Sequence, residues 1–521
     1  MKLRHIIIVF LLSLPFFVRD YTVANELKYI SIADEALDNG TWFTFYNHGE
    51  PYADKPPLYL WIVMLSKLLF GDYNMWFIGL FSLLPMAGVM AVMNRWIHME
   101  CDHANTYAAD MMLATTGMFV GAGVVLRMDM LMTFFIVLAL YTFFRMYKGV
   151  ARPHERWLLP VWLFMALFTK GPYGVMIPLA AMVAFLAWKR ELRTFGRYLG
   201  WTQAGLLVAL CVAWWGAVYA EGGKEYICDL LFRQTVGRGV NSFHHKAPLW
   251  FYVARLPLVM LPWSLLFIAT FVIGLRRHAV CTDTELFFII TIITTTAMLS
   301  VVSAKLDIYL IPMYPFLVYL CAMWLRKIEA SAWVKTAAAI PMALFAVALI
   351  GVPFVLHEAG FDSLPAWTEG CIYCAAAVLS VGSICGLCEV LRNRASHGVV
   401  TVAWTIVATV AMATTAIPYF NPYLGYKCLC ERAKMLGAKH YAYYKFKYAD
   451  NMDVFLGQAP QRTASVAELE ALPQGTLLFV DEREPRRDKE LAQWLADKKP
   501  VAQVGDYRIF ITPKTQEQEN E

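Results

Sequence analysis

Charged residues interrupt the apolar runs of this chain at three short motifs. The motifs are Arg127-Met128-Asp129, Thr169-Lys170-Gly171-Pro172 and Ala304-Lys305-Leu306-Asp307. Burying a charge in a bilayer is costly, so each motif calls for a functional explanation, although each one alone is equally compatible with capping a hairpin in water. Lys55 and a cationic stretch at 238–246 are expected on the same face of the membrane. Together these charges predict one cationic site.

A site with several cations and few anions at the membrane surface suits the phosphate or pyrophosphate head group of a lipid. Arg and Lys bind phosphate oxygens through charge-assisted hydrogen bonds. The cations predicted to do so are Lys55, Lys170, Arg238, Lys246 and Lys305. Tyr309, one turn beyond Lys305, is predicted to donate a further hydrogen bond.

Carboxylates near these cations are candidates for the reacting centre. Glu26 belongs to the polar segment 19–57, and Asp129 to the first charged motif. Either side chain suits a proton transfer or the developing positive charge of a sugar ring. Composition alone does not identify a sugar.

Asp54 and His245 are candidate ligands of a divalent metal ion. A carboxylate oxygen and an imidazole nitrogen both bind such ions. Two ligands do not complete a site, however, and a histidine in an outer loop is usually only solvated. Both interpretations stay open.

The elements that position these residues are membrane-spanning helices. Of the 521 residues, 59% are hydrophobic and 16% are charged, whereas soluble domains have about 45–50% apolar residues. Apolar runs long enough to cross a bilayer recur up to about Pro418. They predict thirteen spans, which begin near residues 5, 76, 107, 130, 157, 173, 201, 250, 285, 308, 333, 370 and 398.

The cations of the short loops set the predicted orientation. Lys and Arg concentrate on one side, whereas the short loops of the other side carry only Arg127, Lys170 and Lys305. Because cytoplasmic loops are enriched in cations, the N-terminus is expected inside and the charged motifs outside. The first span, about His5 to Val18, is expected to be an uncleaved anchor.

The sequence therefore predicts two domains. Residues 1–418 form a transmembrane domain with outer loops at 19–75 and 220–250, and residues 419–521 form a small α/β domain outside the membrane. In the first loop, a helix is expected from Glu26 to Leu37, where Asn39-Gly40 stops it. A second helix is expected from Leu58 to Phe70 on the outer surface, with a true membrane span as the alternative. In the C-terminal domain, helices are expected at 466–472 and 488–498, and strands at 476–480 and within 501–512.

A series of motifs, taken in order over roughly residues 20–320, resembles the GT-C glycosyltransferases of the aminoarabinose lipid A transferase and protein O-mannosyltransferase superfamily. The motifs are Asn25-Glu26-x-Lys28-Tyr29, Tyr52-Ala53-Asp54-Lys55-Pro56-Pro57, Arg127-x-Asp129, Thr169-Lys170-Gly171-Pro172, His245-x-Ala247-Pro248-x-Trp250-x-Tyr252, Leu261-Pro262-Trp263 and Lys305-Leu306-x-x-Tyr309. Each motif is weak alone, but the set is specific.

The resemblance implies a polyprenyl-phosphate-linked sugar donor, an active site on the outer face and inversion at the anomeric carbon. It implies that Lys55 holds the donor phosphate, with Arg238, Lys246 and Tyr309 as further contacts. Asp54 and His245 match positions that the family associates with a metal. Asp129 matches the second of the family's paired acids.

One residue departs from the family pattern. The first loop of the family usually reads Asp-Glu, and here the first of these positions is Asn25. An amide is not a base, so the role of catalytic base passes to Glu26 or Asp129, or no base is needed. It is unnecessary for a phosphate acceptor, which is already ionised near neutral pH, whereas a Ser or Thr hydroxyl needs a base. This favours lipid A or another outer-leaflet glycolipid as the acceptor.

The main alternative keeps the chemistry and transfers the sugar to Ser or Thr of a secreted protein. An anionic-lipid transporter or flippase is an alternative of another class, but transporters usually place polar residues at mid-membrane in repeated halves, and this sequence shows no repeat. A scaffold protein would leave the outer cations unexplained. The expected location is the bacterial inner membrane, with the lipid bilayer and no nucleic acid as partner.

Overall fold

The computed structural model describes residues 2–100, 105–232, 247–276, 280, 282–361 and 364–512. The chain divides into two compact units. The first unit comprises Met1–Phe17, Ala53–Ile62 and Trp76–Ala416, and the second comprises Val18–Tyr52, Val63–Met75 and Ile417–Glu521. Each unit thus combines segments that are distant in sequence.

The first unit consists of helices, as its apolar runs predict. The α-helices of this unit are Leu3–Ser13, Met75–Ile97, Thr106–Thr115, Gly117–Gly123, Asp129–Tyr147, Glu155–Lys170, Tyr173–Trp188, Phe195–Tyr198, Trp201–Cys228, Phe251–Val259, Ser264–Arg276, Asp283–Val301, Tyr314–Ile328, Ala332–Ala346, Ala348–Glu358, Ala366–Leu391 and Ala395–Ala413. Only Met75, the first residue of its helix, is assigned to the second unit. Its 3-10 helices are Leu14–Phe17, Leu192–Thr194, Asp307–Met313 and Thr414–Ala416. The helix Pro57–Phe70 begins in the first unit and ends in the second.

Among the described residues, seven helices are long and apolar enough to cross a membrane, or nine if each of two bent pairs is one span. The bent pairs are Phe251–Val259 with Ser264–Arg276, at 117°, and Ala332–Ala346 with Ala348–Glu358, at 62°. The predicted polytopic helical fold is therefore present. The predicted number of thirteen spans is not confirmed by these lengths, because several helices at predicted spans are short or broken.

The N-terminal helix is held in the first unit by a buried carboxylate. Asp110 is fully buried and accepts hydrogen bonds from Arg4 Nε at 2.5 Å, His5 Nε2 at 2.8 Å and Asn94 Nδ2 at 3.0 Å. The Tyr319 hydroxyl also donates to it. A buried charge is tolerated when it is paired and fully hydrogen-bonded, so this cluster ties the first helix to three others.

The second unit joins most of the first loop to the C-terminal residues. The helix Glu26–Asn39 ends where Asn39-Gly40 predicts, because Gly40 takes the left-handed conformation with φ of 69° and its N–H caps the last turn. Asp20 Oδ2 accepts a hydrogen bond from the Lys427 amide at 2.8 Å. Ser31 donates to Asp453 at 2.8 Å. These bonds connect residues that are about four hundred positions apart in sequence.

A five-stranded sheet organises the C-terminal part of this unit. The strands β3 (Tyr441–Tyr444), β4 (Gln461–Thr463), β5 (Leu477–Asp481), β6 (Ala502–Val504) and β7 (Tyr507–Ile511) lie in the order β4-β3-β5-β7-β6. β3 pairs in parallel with β4 and β5, and β7 pairs antiparallel with β5 and β6. A two-stranded ladder, β1 (Tyr46–Asn47) with β2 (Glu50–Pro51), lies in the first loop.

Helices cover this sheet and complete its core. The α-helices of the second unit are Glu26–Asn39, Ile417–Leu424, Lys427–Met435, Asp453–Leu456, Val466–Glu470, Glu484–Arg487 and Lys489–Leu495, with a 3-10 helix at Ala449–Met452. Ala442, Leu478 and Val480 of the strands pack with Leu469 and Leu491 of the helices. The predicted α/β character of this region is confirmed. β3 and β4 are additions to the predicted strands.

Candidate active site

Asp129 is the centre of a buried ionic cluster in the first unit. Its side chain is 1% exposed. Its carboxylate accepts a hydrogen bond from Arg127 Nε at 3.0 Å and pairs with the Lys170 ammonium. The structure thus brings together the acid and two of the cations of the charged motifs.

The ends of two helices place these groups. Asp129 is the first residue of the helix Asp129–Tyr147, where the unpaired amides and the helix dipole favour a negative charge. Lys170 is the last residue of the helix Glu155–Lys170, where a positive charge is favoured. Gly171 then turns the chain with φ of 107°, in the region that favours glycine.

The Tyr309 ring is a second neighbour of the Lys170 ammonium. The Lys170 Nζ atom lies 4.6 Å from the centre of the Tyr309 ring, a distance at which a cation is attracted to the ring face. The Tyr173 ring lies 5.3 Å from the Tyr309 ring. Lys170 is therefore held between a carboxylate and an aromatic ring, in a position with little access to water.

Lys55 and Asp54 belong to the same unit and are more accessible. Lys55 Nζ lies 3.6 Å from Asp54 Oδ2, and both side chains are about one fifth exposed, at 20% and 19%. Charges acting on the Lys170 ammonium include those of Asp129, Arg127 and Lys55. Lys55 is thus more accessible than the described Lys170 and Lys305, and Arg127 is similarly exposed, at 22%. This exposure suits Lys55 to contact a ligand.

Lys305 uses its ammonium within the protein. It is 4% exposed, and Nζ donates to the Ala247 carbonyl at 2.9 Å and to the Val302 carbonyl at 2.7 Å. These bonds join two parts of the chain near Tyr309. Lys55 Nζ also donates to a backbone carbonyl, that of Asp54 at 3.4 Å, but Lys305 differs from it in being almost fully buried.

The predicted site residues of the first loop that precede Asp54 lie in the second unit. Glu26 is 1% exposed and forms two hydrogen bonds with Arg19, of 2.5 and 2.6 Å. Its Oε2 atom also accepts from the Thr22 amide at 2.7 Å. This carboxylate therefore closes the turn that precedes its own helix.

The neighbours of Glu26 also have intramolecular contacts. Lys28 Nζ lies 4.6 Å from the centre of the Tyr52 ring. Tyr29 is buried, and its amide donates to the Asn25 carbonyl at 3.1 Å in the first turn of the helix. Asn25 is thus placed at the start of the helix, immediately before Glu26.

Three predicted site residues, Arg238, His245 and Lys246, lie outside the described residues. Among the residues that the structure describes, no group of three or more His, Cys, Asp or Glu side chains is arranged to hold a metal ion. Asp54 is described, but its suggested partner His245 is not. Metal binding by this pair stays a prediction.

Two arginines that pair with acidic residues of the predicted motifs were not among the predicted site residues. Arg19 pairs with Glu26, and Arg255 forms hydrogen bonds of 2.5 to 3.1 Å with Asp307. Arg255 had a usable sequence signal, since it is a lone cation between Trp250 and Trp263 in an otherwise apolar run. Arg19 had no comparable signal, because it belongs to a segment that is polar throughout.

In chemical terms, the first unit combines a charged, buried Asp129 with a partly accessible Lys55. Two cations neutralise Asp129, which makes this carboxylate better suited to orient cations than to accept a proton. Lys55 is able to attract a phosphate, and the Tyr309 ring lies against the neighbouring Lys170. The arrangement suits binding of an anionic head group next to an aromatic surface.

Comparisons with known proteins show which proteins this chain resembles. A sequence model of the family described as dolichyl-phosphate-mannose-protein mannosyltransferase matches residues 54–215. An undecaprenyl phosphate-alpha-4-amino-4-deoxy-L-arabinose arabinosyl transferase of Erwinia tasmaniensis is 24% identical over 367 residues, which are 68% of this chain and 65% of that relative. A transferase of the same description from Yersinia pestis (strain Pestoides F) is 23% identical over 304 residues, 55% of this chain and 52% of the relative. These matches span less than two thirds of the relatives' lengths.

Solved structures extend the similarity to nearly the whole chain. ArnT of Cupriavidus metallidurans bound to undecaprenyl phosphate has a TM-score of 0.75 at 16% identity, with 98% of this chain and 97% of that chain covered. The same protein in the apo state has a TM-score of 0.73, with 98% and 96% covered. The fold class, a polytopic GT-C type membrane protein with a small C-terminal α/β part, is therefore confirmed. The resemblance to the aminoarabinose lipid A transferase and protein O-mannosyltransferase superfamily is confirmed as well.

Proposed function

We propose that this chain is an integral membrane glycosyltransferase that moves a sugar from a polyprenyl-phosphate donor to lipid A or another glycolipid of the outer leaflet, with inversion at the anomeric carbon. The observation that carries the proposal is the placement of Lys55 in the same unit as the Asp129 and Lys170 pair. The fold is similar to that of a protein crystallised with undecaprenyl phosphate, and the positive charge of this group suits a lipid phosphate.

Each part of the group has a distinct task. Lys55 binds the donor phosphate and stabilises the negative charge that develops on it as the sugar leaves. Tyr309 lines the site beside Lys170. Asp129 holds Lys170 and Arg127 in place, so that two cations are kept in an apolar setting at a fixed distance from the donor.

The acceptor is inferred from Asn25. A lipid phosphate attacks the anomeric carbon without losing a proton. Transfer to such an acceptor therefore does not need a carboxylate base at the position of Asn25. Glu26 supports this argument, because its two oxygens are engaged by Arg19 and the Thr22 amide. The orientation that fits this function has the N-terminus in the cytoplasm and the charged motifs and C-terminal part in the periplasm.

A protein acceptor is the second candidate, favoured by the match of residues 54–215 to the protein mannosyltransferase family. A divalent metal held by Asp54 and His245 is a further part of the proposal. The described residues do not complete a metal site, so no step above depends on it. If Asp54 and His245 together hold a metal ion that transfer needs, chelation of divalent ions should lower transfer.

The deciding experiment compares the envelope of cells with and without this chain. Mass spectrometry of lipid A should show a sugar-sized mass on a phosphate only when the chain is present. Purified protein in lipid nanodiscs should transfer the sugar from the polyprenyl-phosphate donor to lipid A. Transfer to a Ser/Thr peptide instead would establish the second candidate, and transfer to neither, by a folded protein, would exclude both.

A further inference from the structure

Two segments of the first unit are joined by side-chain contacts at both ends. Lys305 Nζ donates to the Ala247 carbonyl at 2.9 Å. Arg255 Nε lies 3.0 and 3.1 Å from the two carboxylate oxygens of Asp307, and Nη2 lies 2.5 Å from one of them. We call these two contacts, Lys305 with Ala247 and Arg255 with Asp307, the outer clamp.

The outer clamp acts on a short stretch of chain. Asp307 is the first residue of the 3-10 helix Asp307–Met313, and Tyr309 follows two residues later. In the other segment of the outer clamp, Tyr252 lies between Ala247 and Arg255 in the sequence and is fully buried. The Arg255 side chain is 42% exposed and that of Asp307 17%, so the restraint comes from the two-oxygen geometry of this pair together with the buried Lys305 and Tyr252 side chains.

Tyr309 is thereby fixed against the ionic cluster. Its ring contacts the Lys170 ammonium at 4.6 Å and the Tyr173 ring at 5.3 Å. A planar guanidinium that binds both oxygens of a carboxylate restrains direction as well as distance. Arg255 therefore sets where the 3-10 helix begins, and this in turn sets the position of the Tyr309 ring.

Lys305 shares this task. Two of its three donors bind backbone carbonyls, and the side chain is nearly inaccessible. To bind a donor phosphate it would have to release the Ala247 and Val302 carbonyls. Its contacts suit holding the chain in place rather than contacting a ligand.

We propose that Arg255, Asp307 and Lys305 are positioning residues for the transfer reaction: they fix Tyr309 against Lys170, and Lys305 does not bind the donor phosphate. The inference rests on the proposed function. It assigns a role to Arg255 and Asp307 and replaces the phosphate-binding role that the motif predicted for Lys305.

The kinetic test uses Arg255→Ala, Asp307→Ala, their double variant and the charge-reversed pair Arg255→Asp with Asp307→Arg. Each single variant should lower kcat by about ten- to a hundredfold, as expected for a misplaced group, with KM for the polyprenyl-phosphate sugar unchanged. The double variant should be no worse than either single variant, and the reversed pair should recover part of kcat. Additive losses in the double variant would overturn the positioning role.

Lys305→Met separates the two roles of that lysine. A positioning lysine predicts a lower kcat with the KM for the donor unchanged, and unchanged binding of undecaprenyl phosphate. A phosphate ligand predicts a higher KM and weaker binding of undecaprenyl phosphate. The second result would restore the role that the motif suggested.

A spectroscopic readout tests the clamp independently of activity. 3-Fluorotyrosine at position 309 should show a shifted or broadened 19F resonance in Arg255→Ala, and the resonance should return towards its original position in the reversed pair. Arg483→Ala is the matched control, because it breaks an ion pair with Asp506 at 2.6 Å in the second unit and should leave the resonance unchanged. If the wild-type protein transfers no sugar, the proposed function fails, whereas an unchanged resonance in a folded Arg255→Ala variant means that the clamp fails.

Discussion

Lys170, the last residue of one helix, forms an ion pair with Asp129, the first residue of another helix 41 positions earlier. Both side chains are almost completely buried. Each charge lies at the helix end whose dipole favours it, and each offsets the desolvation cost of the other. The pair is therefore a structural feature as well as part of the candidate site.

Replacing one member of this pair should destabilise the protein strongly. Asp129→Asn leaves Lys170 and Arg127 without their carboxylate, and breaking a buried pair in this way costs about 3–5 kcal/mol. Thermal unfolding of the purified protein should show the loss, and transfer activity should fall with it. The double variant Asp129→Asn with Lys170→Met should be more stable than Asp129→Asn alone, because it removes a buried charge that has no partner.

A matched control for this pair lies in the second unit. Lys67 pairs with Asp34, and both side chains are about one third exposed, at 36% and 30%. Because exposed pairs contribute about 0–1 kcal/mol, Lys67→Met should change the unfolding temperature little. Equal destabilisation by Asp129→Asn and Lys67→Met would contradict the special role of the buried pair.

Lys55 should control donor binding. Removing a charge-assisted hydrogen bond costs about 1.5–3 kcal/mol, so Lys55→Met should raise KM for the polyprenyl-phosphate sugar by about ten- to a hundredfold. Lys67→Met provides the control for a general loss of positive charge. The assignment fails if donor KM and binding of undecaprenyl phosphate are the same in Lys55→Met and wild type.

Asn25 should be dispensable for chemistry if the acceptor is a phosphate. Asn25→Ala should keep most of the transfer activity, since no proton has to be removed from the acceptor. Loss of a needed general base lowers the rate by about a hundred- to ten-thousandfold. A loss of that size in a folded Asn25→Ala protein would sink the argument for a phosphate acceptor.

Glu26 and Arg19 should behave as one unit. The Glu26 side chain is fully buried and that of Arg19 is 10% exposed, so Glu26→Gln and Arg19→Met should each lower the stability of the protein by about 3–5 kcal/mol. Their combined effect should be smaller than the sum, because either change removes the same pair. If Arg19→Met is stable and active while Glu26→Gln is folded and inactive, Glu26 acts at the reacting centre, as its motif predicts.

Asp20 should give the second unit a characteristic pH dependence. Burial raises the pKa of Asp20, in spite of hydrogen bonds from the Lys427 and Tyr21 amides. The folded protein therefore binds this proton more tightly than the unfolded chain, whose Asp pKa is about 3.9. The resulting stabilisation is complete below the unfolded pKa and is lost as pH rises through the higher folded pKa.

Asp20→Asn removes this titration and offers a direct comparison. The stability of wild type relative to Asp20→Asn should decrease as pH rises from about 4 to 7. Thermal unfolding of both proteins over this range measures the difference. A difference that is independent of pH would mean that Asp20 does not titrate differently in the folded state.

The fold was largely predictable because it follows from local patterns. Apolar runs predicted the helices of the first unit, and Asn39-Gly40 correctly marked the end of the first loop helix. The strands predicted at 476–480 and within 501–512 correspond to β5, β6 and β7. β3, whose four residues Tyr441–Tyr444 are all buried, lacks the alternation that identifies a half-exposed strand, and the three-residue β4 is too short to give a periodic signal.

The candidate site was predictable only in part. Charges in apolar surroundings pointed to Asp129 and Lys170, because their cost is a property of the sequence environment. The contacts that distinguish Lys55 from Lys305 were not predictable. One lysine is accessible and the other binds backbone carbonyls, and nothing in their local sequences separates the two cases.

The sequence by itself thus determined the membrane class, the helical character and the residues whose charges need an explanation, since hydropathy and charge are properties of each segment. Only the tertiary structure decided the partners: Asp129 with Lys170, Glu26 with Arg19, and Arg255 with Asp307. The physical reason is that a buried charge must find an opposite charge or a hydrogen-bond partner wherever the folded chain supplies one. That partner is set by three-dimensional packing, and sequence distance does not reveal it.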